Sequence, residues 1–313
     1  MSENDTKAPR IEVPEGVSRR DFLKLSGAVA ACLGLSSTFI PKIAHALATA
    51  PRPPIVWLNF AECTGCTEAF LRSSNPTVGD LLLDVVSLDY HETVMAAAGL
   101  QANTNLDTAV AKYPGQFICI CEGAVPTAEG GVYGAVGGDT MLATAQAVVP
   151  KAKHVVCVGT CASYGGLPAA APNPTGAKGV ADATGYKTIN IPGCPPNPIT
   201  LVSLLASYLL NGTMPALDSY GRPLFAYGKS VHDQCGKPYG CLKEYGCRGP
   251  RCRNNCPTMK FNDKTSWCIQ AEHHCIGCSE PGFWDTMAPF YNADYVRKFI
   301  EDRGLAGSRT LKA

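Results

Sequence analysis

Apolar and β-branched residues gather in short runs at 55–60, 85–91, 117–121, 154–158 and 187–191, each followed by turn-forming residues, and these read as strands. Between them a 3.6-residue period predicts helices: a short one from near Thr67 that ends before Pro76, others around 81–84, 92–98, 106–113 and 140–148, and a longer one over 199–210. Residues 47–54 (LATAPRPP) read as an extended lead-in. Gly130, Gly131, Gly134, Gly137 and Gly138 lack the strand-to-helix setting of a nucleotide-binding turn and read as a loop. Strands that alternate with helices predict an α/β fold on a doubly wound parallel sheet. The alternation stops near Leu217, and one amphipathic helix, about 293–302, is expected after Pro281.

Beyond Leu217 the composition changes. Eight of the sixteen cysteines lie between His232 and Cys278, among glycines and prolines with almost no apolar period. Such a stretch cannot bury enough hydrocarbon to offset its chain entropy, so disulfides, zinc or iron–sulfur clusters must hold it. By spacing, His232, Cys235, Cys241 and Cys247 form one four-donor group, and Cys256, Cys268, Cys275 and Cys278 another. Zinc ribbons use two tight C-x-x-C pairs about 15–20 residues apart. Here only Cys275 and Cys278 make such a pair, so zinc fits poorly. Cys252 stands between the groups and could compete as a ligand.

The sheet part carries its own thiol set. Cys63, Cys66, Cys161 and Cys194 each come just after an expected strand. Open α/β sheets bind ligands beyond the carboxyl ends of their strands, so these four can converge on one edge, a set that suits a tetrahedral zinc or a cubane cluster. Cys119, Cys121 and Cys157 lie within strands and read as small buried hydrophobes.

Charge and the N-terminus narrow the setting. A net charge of +1 argues against nucleic acid as a partner, and no apolar run is long enough for a mature membrane span. Ser18-Arg19-Arg20-Asp21-Phe22-Leu23-Lys24 precedes the moderately apolar run 25–40, and Ala44-His45-Ala46 supplies an A-x-A cleavage pattern. Paired arginines in that position mark twin-arginine export, a route for proteins already folded around their metals. Cys32 would leave with residues 1–46. From Lys229 to Lys260 the chain carries Lys229, Lys237, Lys243, Arg248, Arg251, Arg253 and Lys260 against Asp233 and Glu244. That excess reads either as compensation for buried clusters or as a docking face for an acidic carrier.

These motifs together resemble the small subunit of nickel–iron hydrogenases across nearly the whole chain. The resemblance rests on Glu62-Cys63-Thr64-Gly65-Cys66, Glu122-Gly123-Ala124-Val125-Pro126, Gly159-Thr160-Cys161-Ala162-Ser163-Tyr164-Gly165-Gly166 and Pro192-Gly193-Cys194-Pro195-Pro196 in the first part. In the second it rests on His232-Asp233-Gln234-Cys235, Gly246-Cys247-Arg248-Gly249-Pro250, Asn254-Asn255-Cys256-Pro257 and Cys275-Ile276-Gly277-Cys278-Ser279-Glu280-Pro281. It implies a leader at 1–46, a flavodoxin-like domain at 47–216 and an irregular cluster-binding domain at 217–313. It also implies a proximal [4Fe–4S] cluster on Cys63, Cys66, Cys161 and Cys194, a distal [4Fe–4S] cluster on His232, Cys235, Cys241 and Cys247, and a medial cluster on Cys256, Cys275 and Cys278. The nickel–iron centre would sit in a separate large subunit, and electrons would leave for a cytochrome c-type carrier or a membrane-bound subunit.

Three departures stand out. Cys268 follows Trp267 where most members have proline, a similarity to the nickel–iron–selenium branch that implies a medial [4Fe–4S] rather than [3Fe–4S] cluster. The segment from Cys235 to Cys241 is short, leaving the distal site less covered. Gly65 and Gly166 stand where oxygen-tolerant members carry two extra cysteines.

Overall fold

The computed structural model describes residues 18–73, 86–238, 240–262, 264–287 and 301–302. The expected helix at 81–84, the first residue of the 85–91 strand and most of the 293–302 helix lie outside them.

The strands are β1 (Pro54–Asn59), β2 (Ser87–His91), β3 (Ile118–Glu122), a two-residue antiparallel ribbon of β4 (Ala135–Val136) and β5 (Asp139–Thr140), then β6 (His154–Val158) and β7 (Ile189–Ile191). The main sheet is wholly parallel, in the order β2-β1-β3-β6-β7. With the ribbon set aside, that is the flavodoxin-like order, whose switch point lies between β1 and β3. The longer helices are α1 (Arg19–Cys32), α2 (Ile40–Thr49), α3 (Gly65–Leu71), α4 (Leu100–Lys112), α5 (Met141–Val148), α6 (Thr160–Tyr164), α7 (Val180–Thr184) and α8 (Pro198–Asn211).

Strand side chains alternate between two cores because successive residues point to opposite faces. Ile55, Trp57, Ile118, Ile120, Val156, Val158 and Ile191 pack towards α8, while Val56, Leu58, Cys119, Cys121, Val155 and Cys157 pack towards α4 and α5. The three strand cysteines are thus buried hydrophobes. Each fully buried Ile, Leu or Val in these layers contributes roughly 1.5–3 kcal/mol of transfer free energy.

Helix α8 starts on an Asn197 side chain that accepts from Ile199 N, has Pro198 in its first turn, and ends at Gly212 with φ +69°. Every residue from Thr200 to Ser207 is buried. One side faces the sheet, and the other is covered by α1 and α2: Phe22, Leu25 and Val29 of α1, with Ile43, Ala44 and Leu47 of α2. The expected cleavage pattern therefore lies within a helix, Ala44 being fully buried, and the first residues of the 47–54 lead-in belong to α2. Cys32, expected simply to depart, is buried in the uncleaved chain 3.7 Å from the Asn255 amide, and burial pushes its pKa up to about 11.

The helix expected at 92–98 does not form. His91 organises a turn there instead, its Nδ1 accepting from Thr93 N at 3.2 Å and its carbonyl from Met95 N at 3.1 Å. The helix expected at 106–113 begins earlier, at Leu100.

Beyond α8 the chain makes short helices, α9 (Leu224–Tyr227), α10 (Val231–Gln234) and α11 (Cys256–Met259), within irregular loops. It is held by polar contacts, internally through Arg222 and to the sheet part through Tyr227. Buried Arg222 pairs with Asp218 at 2.8 Å and Glu280 at 2.9 Å, and donates to Ser279 O at 3.2 Å. The Tyr227 hydroxyl donates to Pro192 O at 2.8 Å.

Candidate metal centres

Each cysteine of the first group sits on a loop launched by a strand end. After β1 the chain bends through Thr64 in the left-handed region (φ +60°), which starts α3 at Gly65 and sets Cys63 and Cys66 on one turn. The carboxylate of Glu122, the last residue of β3 and fully buried, fixes that turn. It accepts from Cys66 N at 3.0 Å, Thr67 N at 3.1 Å and the Thr67 hydroxyl at 2.5 Å. These are charge-assisted bonds to amides at a helix start that would otherwise lack partners.

Cys161 begins α6 after β6, and Cys194 follows β7. Their loops are stitched together: Gly159 N donates to Ile191 O at 2.9 Å, Thr160 N to Gly193 O at 3.0 Å, and Gly193 N to the Thr160 hydroxyl at 2.9 Å. Gly159 (φ +90°) must be glycine, because a Cβ there would stand 2.5 Å from Cys66 Sγ. A Cβ on Gly166 would come within 2.9 Å of Cys161 Sγ, and one on Gly65 within 3.1 Å of Cys63 Sγ. Both positions therefore border the thiols.

The four sulfurs converge. Burial pushes the Cys66 thiol well above its usual range, helped by the charges of Glu122, Cys161, Cys194 and Cys63. Burial and then Cys194 take Cys161 up to about 12, against a stabilising N–H from Leu167, and Cys194 is raised by burial and by Cys63. Such thiols cannot remain thiolates near neutrality unless a positively charged core draws off their protons. Cys63 and Cys194 are exposed, so the group opens to the surface.

In the second group Cys235 and Cys247 are buried. Burial raises Cys247, which also feels Cys235 and Cys241 and accepts N–H bonds from Gly249 and Cys275. His232 is half-buried on α10, and a Cβ on Gly249 would lie 3.4 Å from Cys247 Sγ and 3.6 Å from His232 N, which brings α10 to the same loop. Cys241 is exposed. Of the basic residues from Lys229 to Lys260, Lys229, Lys237, Lys243, Arg251 and Arg253 are exposed, whereas the Arg248 guanidinium donates to Met287 O at 2.7 Å.

In the third group Cys275 is buried and Cys256, Cys268 and Cys278 are half-buried. Burial pushes Cys256, Cys268 and Cys278 up, and each feels the charge of Cys252. Cys256 also feels Cys268, and Cys278 feels both Cys256 and Cys268. The Cys275 thiol is in hydrogen-bond contact with Cys252, which with burial drives it upward. The structure thus brings Cys256, Cys268, Cys275 and Cys278 together, with Cys252 among them.

The first and third groups touch. Cys194 N donates to Cys278 Sγ, and the Thr160 hydroxyl donates to the Cys278 carbonyl. Thr160, Glu122 and Arg222 organise the centres without being donors to a metal. No periodic or spacing signal singles them out; Glu122 and Thr160 fall within motifs that could have drawn attention to them, and Arg222 does not.

No disulfide joins any of the cysteines, and among the described residues no three His, Cys, Asp or Glu side chains close on a single metal-ion position. A zinc site needs four donors about 2.0–2.3 Å from one point. Thiols spread round a larger space, lined by glycine and by N–H donors to sulfur, fit a multi-iron core. A groove of about 600 Å³ opens beside the first group, between α1, α3, the start of α8 and residues 259–262, and Gly65 and Pro195 line it although no cysteine does.

Comparison with known proteins agrees with this chemistry. Residues 63–208 match the family model described as the 20 Kd subunit of NADH ubiquinone oxidoreductase, residues 220–291 match the C-terminal part of NiFe/NiFeSe hydrogenase small subunits, and residues 16–36 match the twin-arginine translocation signal. The chain is 50% identical over 300 residues to the periplasmic [NiFe] hydrogenase small subunit 1 of Nitratidesulfovibrio vulgaris, spanning 89% of this chain and 94% of that protein. It is 43% identical over 297 residues to the quinone-reactive Ni/Fe-hydrogenase small chain of Wolinella succinogenes, spanning 88% and 84%. The solved Ni-Fe-Se hydrogenase of Desulfomicrobium baculatum superposes with a TM-score of 0.73 at 37% identity, spanning 77% of this chain and 99% of that one. The chain therefore belongs to the small-subunit family of nickel–iron hydrogenases, their iron–sulfur electron-transfer component, and carries a twin-arginine export signal.

Proposed function

We propose that the three thiol groups hold three clusters in series. Cys63, Cys66, Cys161 and Cys194 hold a proximal [4Fe–4S] cluster. Cys256, Cys268, Cys275 and Cys278 hold a medial [4Fe–4S] cluster, and His232, Cys235, Cys241 and Cys247 a distal [4Fe–4S] cluster. The observation that carries this reading is the convergence of four thiols from three separate strand ends on one sheet edge, joined through Cys194 N–H to the sulfur of Cys278. When bound, the clusters supply one-electron redox sites.

The protein's part is positional. Glu122 and the Gly159–Thr160–Gly193 loops hold the first thiols on fixed backbone, N–H groups from Leu167, Cys194, Gly249 and Gly277 point at ligand sulfurs, and burial keeps water from the third group. In the periplasm, the destination of the twin-arginine route, the exposed Cys63–Cys194 face is where the hydrogenase large subunit with its nickel–iron centre docks. The exposed histidine-ligated end, set among Lys229, Lys237 and Lys243, is the exit towards a cytochrome c-type carrier or a membrane-bound electron-transfer subunit. The domains on this reading are a leader at 1–46, a sheet domain at 47–216 and a cysteine-rich domain at 217–313.

Metal analysis of the purified heterodimer tests the reading. About twelve small-subunit irons per chain, four for each cubane, with broad visible absorbance are expected. A colourless, zinc-loaded small subunit would refute it. For the medial site, a stoichiometric [3Fe–4S] resonance in the oxidised protein would exclude Cys268 as the fourth ligand.

A further inference from the structure

Helix α1 lies within the residues that match the export signal, α2 holds Ala44-His45-Ala46, and both pack on α8 and on each other. The polar side of α1 stays in water: Arg19 and Arg20 are exposed, and Lys24 pairs with Asp21 at 2.8 Å. Its apolar side, Phe22, Leu25 and Val29, is buried in the same core as Ile43, Ala44 and Leu47 of α2. Helix geometry shows which side of α8 they cover. The Tyr208 ring meets His154 of β6 with centroids 5.1 Å apart, so that side of α8 faces the sheet. Ala206, two residues back, points about 200° away from it. Yet Ala206 is 0% exposed, as the packing of α1 and α2 there requires.

That packing closes the cleavage pattern. The amide between Ala46 and Leu47 lies inside α2, where Ala46 O accepts from Ala50 N at 3.0 Å and His45 O from the Thr49 hydroxyl at 2.8 Å. A protein that binds an extended peptide pairs with these same backbone groups and takes alternate side chains into pockets. In the docked chain the backbone groups are committed to the helix, and the Ala44 side chain is fully buried. Docked α2 is therefore not a peptidase substrate.

We propose that α1 and α2 form an autoinhibitory clamp on the processing of their own chain, held shut by α8 and cut only after undocking. The inference rests on the leader assignment at 1–46. Cutting adds one water across the Ala46–Leu47 amide and leaves a carboxylate on Ala46 and an amine on Leu47. Its rate is the open-chain rate multiplied by the fraction undocked. Arg19 and Arg20 stay readable while the clamp is shut, and withdrawal of Phe22, Leu25 and Val29 from α8 by the export machinery opens it. The apolar side of the signal thus stays covered until export begins, and cutting comes afterwards.

The test uses the full-length, iron-loaded chain and purified signal peptidase, with a peptide of residues 36–52 as the unfolded substrate. Hydrogen exchange of the α2 amides is measured on the same sample. The chain is expected to be cut more slowly than the peptide, by the factor that exchange at α2 is slowed. Ala206→Glu leaves the signal untouched and puts a charge that water can reach once α1 and α2 lift. It is expected to shrink both factors about tenfold or more, with iron content and exchange at β1, β3 and β6 unchanged. Equal cutting of wild-type chain and peptide would overturn the proposal, as would slowed cutting without matching protection of α2. An iron-loaded Ala206→Glu chain with both factors at their wild-type values would also overturn it, and should that variant lose its iron the wild-type comparison alone decides. A new N-terminus other than Leu47 would instead overturn the leader assignment, whatever the rates.

Discussion

Around the sheet, the thiols are attached to a fold that two hydrocarbon layers already hold, whereas between Val231 and Met287 the thiols are a large part of what is buried. Beneath Cys63 and Cys161 lie Trp57, Ile120, Val156 and α8. In the C-terminal part the buried cluster is Val231, Cys235, Leu242, Cys247, Cys252, Trp267, Ile269 and Cys275, half of it cysteine. A thiol whose pKa is raised by burial is a poor core residue unless it is bound to something. On the proposed cluster assignment the two parts therefore place the same chemistry in opposite roles: the sheet would position its cluster, and the C-terminal clusters would position their protein.

Removing iron breaks that symmetry most directly. After anaerobic chelation, hydrogen exchange should show amides between Val231 and Met287 losing most of their protection, while those of β1, β3 and β6 stay slow. Equal loss in both parts would mean that the sheet, too, depends on its cluster for stability.

Arg222 tests the C-terminal part. It is fully buried and ties Asp218, at the start of that part, to Glu280 near its end. Arg222→Met leaves Glu280, already raised by burial, without its counter-charge. Stripping one partner from a buried pair costs about 3–5 kcal/mol. Urea unfolding of the holoprotein should show a loss of that size, and adding Glu280→Gln should recover part of it. A loss under about 1 kcal/mol would mean that the pair is solvated in solution.

Legibility in the sequence divides along the same line. The sheet strands are readable because each is an apolar run with a turn signal after it, and the four strand-end cysteines fall to one edge as a parallel sheet requires. The turn at 92–98 misleads because its alanines and Glu92 favour a helix, and nothing local reveals that the buried ring of His91 will take up Thr93 N. That ring stacks on Trp57 at 4.8 Å, a contact between two strands that no window of sequence contains. The docking of α1 and α2 on α8 is likewise tertiary. In the cysteine-rich part spacing suggests a division of the donors into groups. It cannot show that Cys252 lies inside the third group, because two, five or ten residues of irregular loop place a side chain anywhere within reach.

Glu122 sharpens the contrast from the sheet side. Glu122→Gln keeps the shape but puts an NH₂ group where two amides and a hydroxyl donate, an expected cost of about 2–3 kcal/mol confined to the Cys63–Cys66 turn. The proximal cluster signal should be lost or heterogeneous while the medial and distal signals persist. Simultaneous loss of all three would mean that the C-terminal part leans on the proximal loop more heavily than its own thiols imply.

The smallest expected effect concerns the exposed cations. If Lys229, Lys237 and Lys243 only balance the charge of buried clusters, reversing one should change cluster potentials and leave the rate of delivery to an external carrier nearly unaltered. If they form a docking face, Lys243→Glu should slow electron transfer to an acidic carrier by roughly tenfold at low salt, and the two proteins should converge as ionic strength rises and the Debye length shrinks. Lys243 is the choice because its short helical turn lies between Cys241 and Cys247, at the rim of the exposed group and away from buried pairs. A charge reversal on the sheet domain, at exposed Lys178 for example, serves as the control that should leave the salt dependence in place. Rates that ignore ionic strength in wild type would remove the docking role and leave compensation as the reason for the basic run.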